Sequence, residues 1–211
     1  MERRRLYHGG MSQTHPPHHS ANDLAAPLAA ERQWSAADHT DSRVATPRKA
    51  SAGFMLRNPL HWVALGFGSG LSPVAPGTVG TLWAWLVFWL LQQWLSPMGI
   101  GLVLVASTVL GWWACTATAR NLGVADPGNI VWDEVVAFWL VLWLIAPAGF
   151  WAQAVAFVLF RFFDAVKPQP VRWADQCFKG FGWRGGWGIM WDDFVAAFCT
   201  LFVIAVWRHL T

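Results

Sequence analysis

Beyond Arg57 the chain runs to Thr211 with only seven basic and seven acidic side chains, and none of them falls inside the long apolar stretches. A soluble domain carries about 25% charged residues; here the whole chain has 13%, against 55% apolar. That balance leaves too little polar surface to wet a soluble enzyme. It equally excludes a disordered chain, and three cysteines exclude a disulfide-stapled one. The net charge of +3 comes entirely from residues 1–57, with eight basic and five acidic residues, because the rest is formally neutral. Fifteen basic residues spread over this background form no nucleic-acid surface. The composition is that of a membrane protein.

The apolar stretches are Val79–Leu95, Gly99–Ala119, Val135–Phe150, Trp151–Phe160 and Phe194–Trp207. A helix needs about 20 residues to span a bilayer, so the second is long enough and the others are short. Tilt, local thinning or a flanking turn can absorb the shortfall. The expected fold is all-α: a polytopic membrane helical bundle of about five embedded helices. Asn58–Gly80, broken by Pro59, Pro73 and Pro76, is expected as a re-entrant or interfacial N-terminal segment.

With the N-terminus inside, the connections at 92–98 and 146–152 face out and carry no charge. Those at 120–134 and 161–193 face in and carry Arg120, Arg161, Lys167, Arg172, Lys179 and Arg184. Basic residues gather on the cytoplasmic side of membrane proteins, and this threading puts all six there. Trp83, Trp94, Trp113, Trp132, Trp151 and Trp207 lie near segment ends, where indole rings suit the headgroup zone. Gly101, Ala106, Ser107 and Gly111 suggest close helix packing on the second span.

Residues 1–57 read as a separate extension. They are polar, without periodicity, and lack the apolar core of a secretory signal after Arg3–Arg5. Disorder is expected to about Gly53. His15, His18 and His19 have no acid or cysteine in register and make a poor metal site. Residues 58–211 form the membrane-embedded domain.

All seven acids of that domain lie in connections or at helix mouths on one face: Asp126, Asp133, Glu134, Asp164, Asp175, Asp192 and Asp193. Asp133–Glu134 opens the third span, Asp164 follows the fourth, and Asp192–Asp193 opens the fifth. Asp126 and Asp175 rank behind them. Helix capping explains any one pair. Three sets at one depth repel one another and need positive charge to offset them. A hard divalent cation with oxygen ligands meets that need, and Mg²⁺ keeps positions open for a phosphate.

Ser69–Thr81 (SGLSPVAPGTVGT) supplies backbone N–H groups, hydroxyls from Ser72, Thr78 and Thr81, and a helix start expected at Gly80, a combination able to cradle an anion. It lacks the lysine of a nucleotide-binding P-loop. Arg184–Met190 (RGGWGIM) reads as a flexible turn before Asp192. No CxxC or GxSxG is present. Metal-assisted attack of water on a phosphate is the chemistry left.

Four segments in order, GFGSGLSPVAPGTVGT (66–81), IVWDE (130–134), FRFFDAVKPQPVRWAD (160–175) and GGWGIMWDD (185–193), resemble the phosphatidylglycerophosphatase A family. The resemblance covers about three quarters of the chain. It implies a Mg²⁺-dependent phosphoric monoester hydrolase of the bacterial inner membrane, multi-pass, with its active site on the cytoplasmic side. Such an enzyme converts phosphatidylglycerophosphate to phosphatidylglycerol and phosphate in phospholipid synthesis. Carried over, the metal ligands are Asp133, Glu134, Asp164, Asp192 and Asp193. Arg161, Lys167, Thr78 and Gly77 bind substrate, and Asp164, Asp193 and Lys167 are catalytic. Pro168 and Pro76 complete the KP and PGT segments, and Thr81 stands where a serine is common. The partner implied is a membrane phospholipid. Another lipid phosphate is the nearest alternative. A transporter would place acids at mid-membrane, often in a repeat, and neither is seen. A scaffold would need no converging acids.

Overall fold

Helix boundaries in this chain are set by prolines, glycines and short polar caps, and they divide it more sharply than hydropathy does. The computed structural model describes residues 48–178 and 182–210. The histidines of the front extension and Lys179 lie outside that range. Every regular element among the described residues is helical.

Residues 48–57, grouped with the front extension in the sequence, already carry structure. The Arg48 N–H donates to the Leu122 carbonyl (2.8 Å), and Ser51 caps a short helix α1 (Ala52–Met55) whose Phe54 is buried against Leu65 and Leu122. Helix α2 (Pro59–Ala64) starts on an Asn58 cap. A 3-10 stretch, Gly66–Leu71, follows, with Phe67 and Gly68 in left-handed conformations. It is tied down by the Val131 N–H to Ala64 and by the Asn129 amide to Gly70 (3.0 and 2.7 Å). His61 is buried, stacked on Phe54 and bonded through its two ring nitrogens to the Phe54 carbonyl and to Asn121. Its role is packing.

Helix α3 (Pro76–Trp94) begins four residues before the start expected at Gly80. Ala75 is left-handed (φ 46°) and Pro76 occupies the first helical turn, where its fixed φ and missing N–H cost nothing. Ser96 caps α4 (Pro97–Leu122), which stops at left-handed Gly123. Helix α5 (Trp132–Ile145) and helix α6 (Phe150–Val166) form a hairpin. A short α7 (Val171–Cys177) leads to α8 (Trp183–Leu210).

Helix α5 is the axis of the bundle. Val135, Val136, Ala137 and Phe138 are consecutive and wholly buried, so no side of that turn faces out; only Leu144, near the end of the helix, is exposed. It packs on α3, α4 and α8, while α8 also lies along α4, α6 and α7. Indole N–H groups brace these contacts: Trp132 to Ser107, Trp139 to Ala84, Trp143 to Pro97 and Trp112 to Trp183, each at 2.8–3.0 Å to a backbone carbonyl. Trp132 is therefore a buried strut and not an interfacial ring, whereas Trp94, Trp113, Trp151 and Trp207 are exposed. Gly101 and Gly111 do give close packing, since a Cβ at either would strike the Trp143 or Trp132 ring. Ala106, in contrast, points outward.

The largest departure from the sequence reading is α8. Arg184–Met190 is helix and not a flexible turn, so Asp192 stands nine residues into α8. The glycines are there for close approach. A Cβ at Gly186 would collide with Thr116 of α4, and one at Gly188 with the Phe178 carbonyl.

The outward stripes are apolar: Leu82, Leu86, Trp89 and Leu90 on α3, Val155, Val158 and Phe162 on α6, and Phe198, Phe202 and Val206 on α8. This inverts the pattern of a water-facing helix. Two helices, α4 and α8, are long and apolar enough to cross a membrane.

Candidate active site

The five acids expected as ligands come from three helices and meet at one end of the bundle. Asp133 and Glu134 sit in the first turn of α5, where negative charge suits the helix dipole. Asp164 is in the last turn of α6, and Asp192 and Asp193 lie within α8. Four of them, Asp133, Asp164, Asp192 and Asp193, are under 9% exposed. Their charges act on one another: Asp193 feels Asp164, Asp133, Asp192 and Glu134, and Asp133 feels Glu134, Asp192 and Asp126. The Asp133 carboxylate accepts the Glu134 N–H (2.9 Å), so this residue also steadies its own helix start.

Two cations divide the acids into groups. The Arg161 Nη1 donates to Glu134 Oε1 (3.0 Å), to Asp164 Oδ2 (2.5 Å) and, at longer range, to Thr81 Oγ1 (3.4 Å). The Lys167 Nζ donates to Asp175 Oδ1 and Asp192 Oδ2, both at 2.6 Å. Lys167 ends α6 in a left-handed conformation (φ 47°), an uncommon one for a residue with a Cβ. That turn throws its side chain across to α7 and α8. Partial burial works against its charge, but the two carboxylates outweigh burial and hold the ammonium above the ordinary lysine pKa.

Gly77 carries no phosphate-binding side chain, yet its lack of one shapes the site. The place of its Cβ is taken by the Glu134 carboxylate, which packs against the first turn of α3. Thr78 lies half-buried on the same turn. Ser72 stands apart, because its hydroxyl is turned to Val74 in its own exposed loop.

Asp126 and Asp175, which rank behind the other acids in sequence, belong closer. Asp175 is a direct partner of Lys167, and both acids, with Asp192, Ala125, Phe178 and Gly185, line a cavity of about 60 Å³ beside the Lys167 group. The spacing of KPQPVRWAD, a short helix turning back after a lysine, was the available signal. Arg172 and Arg184 are exposed at the same end.

The donor set suits a hard cation, since every candidate ligand is a carboxylate oxygen. Buried Glu134 Oε2 has no hydrogen-bond partner, as a reserved ligand atom would not. Among the described residues no three His, Cys, Asp or Glu side chains stand in metal-holding geometry. Glu134 and Asp164 are paired with Arg161 instead, and Asp175 and Asp192 with Lys167.

The family described as Phosphatidylglycerophosphatase A matches residues 62–208. Phosphatidylglycerophosphatase A of Escherichia coli is 43% identical over 148 residues, covering 70% of this chain and 82% of the relative. The Haemophilus influenzae protein of the same name is 40% identical over 152 residues, 71% and 88% of the two chains. A putative phosphatidylinositol-3-phosphatase of Bacteroides thetaiotaomicron is 38% identical over 154 residues, 69% and 91%. No solved structure matches.

Proposed function

This chain belongs to the phosphatidylglycerophosphatase A family, and on that premise we propose that it hydrolyses phosphatidylglycerophosphate to phosphatidylglycerol and phosphate in a bacterial inner membrane. The carrying observation is the meeting of five carboxylates and two cations at one end of a bundle whose outer stripes are apolar. The reading embeds α3 to α6 and α8 in the bilayer. Arg120, Arg161, Lys167, Arg172 and Arg184 then mark the cytoplasmic side.

Asp133, Glu134, Asp164, Asp192 and Asp193 would hold Mg²⁺, which supplies Lewis-acid stabilisation of phosphate charge. Arg161 and Lys167 exchange carboxylate partners for phosphate oxygens, the guanidinium being suited to paired contacts. A water oxygen bonds to phosphorus and the ester P–O bond to glycerol breaks. Asp164 takes the proton of the attacking water, the leaving oxygen is protonated from solvent, and Asp193 orders the carboxylate cluster around that exchange. The acyl chains stay in the lipid while the headgroup enters.

Purified full-length protein should release phosphate from phosphatidylglycerophosphate only with Mg²⁺ present. Asp164→Asn and Asp193→Asn should each lower turnover by about a hundredfold or more, within the usual range for a proton-transfer group. Unimpaired release in both variants sinks the assignment. The Bacteroides relative's name points to a second lipid monoester, so the panel includes phosphatidylinositol 3-phosphate. Faster turnover of that lipid would move the substrate while leaving the chemistry in place.

A further inference from the structure

We infer that Thr81 is a positioning residue for Arg161, and that the turn Gly77–Thr81 is a mould for the Arg161–Glu134 pair. The hydroxyl of Thr81 has one hydrogen, and it goes to the Gly77 carbonyl (2.8 Å). What Thr81 offers the site is therefore a lone pair. A lone pair can accept from a guanidinium and can give nothing to a phosphate oxygen. The Arg161 Nη1 faces it at 3.4 Å, and Thr81 is wholly buried, so its side chain cannot turn to solvent for another partner.

The rest of the turn serves the same pair. A Cβ on Gly77 would overlap the Glu134 carboxylate, and one on Gly80 would come within 2.7 Å of Val131 Cβ and 3.3 Å of Glu134 Oε2. Both glycines thus make room for Glu134 to lie against α3, where its Oε1 meets Arg161 at 3.0 Å. Glu134, Asp164 and Thr81 all hold the same nitrogen, Nη1. That arrangement anchors one nitrogen of the guanidinium, while the buried Nε has no hydrogen-bond partner and is an unused donor for an anion. A group held at one nitrogen with a second donor unused is pre-organised for binding.

The inference rests on Arg161 as a phosphate ligand, and its test has one arm that does not. Thr81→Val keeps the shape and removes the lone pair; Thr81→Ser keeps the hydroxyl. In full-length protein with Mg²⁺ and phosphatidylglycerophosphate, Thr81→Val should lose about tenfold in kcat/KM with KM raised, and Thr81→Ser should stay within about twofold of the parent. A purely structural role would lower the active fraction and leave KM alone. In the second arm, phenylglyoxal modification of Arg161 is followed by peptide mass. It should speed up severalfold in Thr81→Val and not in Thr81→Ser. An unchanged Arg161 modification rate in Thr81→Val overturns the inference, as does parental kcat/KM in that variant or a Thr81→Ser form as impaired as Thr81→Val. If the parent protein releases no phosphate, the proposed substrate fails, and the modification arm alone still decides the role of Thr81.

Discussion

At the scale of single residues, the site depends on what is missing at Gly77 as much as on what is present at Arg161. Gly77→Ala would place a methyl group 2.7 Å from Glu134 Cδ and 2.8 Å from Oε2. The carboxylate must then leave α3, and the Arg161–Glu134 pair with it. The expected result is loss of about tenfold or more in kcat/KM, with the protein still folded by its far-ultraviolet circular dichroism. Lys167 gives a pH prediction. Its pKa is raised by Asp175 and Asp192, so its pairing contributes stability fully below the unfolded lysine pKa. That contribution is lost only as pH rises through the higher folded value. Thermal unfolding of Lys167→Met and parent should therefore differ by a constant amount across neutral pH and converge only above the ordinary lysine range. The five main acids were legible in the sequence because a carboxylate stands out against an apolar background. Thr81 was legible only as a hydroxyl. Its partner Arg161 lies eighty residues away, and nothing local marks a threonine as an acceptor.

At the scale of elements, apolar runs located the helices, but their ends were set by contacts that hydropathy does not register. Pro76 after left-handed Ala75 moved the start of α3 outward, and Gly186 and Gly188 read as a hinge when they are the contact face of α8. Glycine looks the same in sequence whether it bends a chain or lets two helices touch. The distinction is testable. Gly186→Leu should force α8 from Thr116 and cost about 1–3 kcal/mol of stability, read as a lowered unfolding midpoint in detergent. A flexible turn would absorb the change. Trp132→Phe should cost about 1–3 kcal/mol, because the buried indole is replaced by a smaller phenyl ring and the bond to Ser107 (3.0 Å) is lost. Only buried struts of this kind should show the loss; Trp94→Phe, on an exposed ring, should be silent.

At the scale of the whole molecule, the described bundle gathers its acids at one end and sets apolar side chains around the outside, with Arg208 and His209 at the far end of α8. The proposed threading predicts opposite accessibility for two exposed loop glycines with open space around them, Gly128 and Gly149. In a Cys177→Ser background, a membrane-impermeant thiol reagent should label Gly149→Cys on intact cells. Gly128→Cys should react only after the membrane is opened. Labelling of both from outside would overturn the topology. The charge distribution is the ground for that threading, since each basic residue between spans carries topological information.

Helix α5 has 14 residues and is about 21 Å long, while α8 has 28 and is about 42 Å. The nine residues of α8 before Asp192 rise about 14 Å beyond the acids. The acids of α8 are therefore not at its mouth: nine helical residues, seated on Thr116 of α4 and on Phe178 at Gly186 and Gly188, precede Asp192. One residue added or removed in that stretch would swing Asp192 and Asp193 about 100° around the helix, away from Lys167 and the other acids. Spacing along one helix thus matters to the site as much as the identity of its acids.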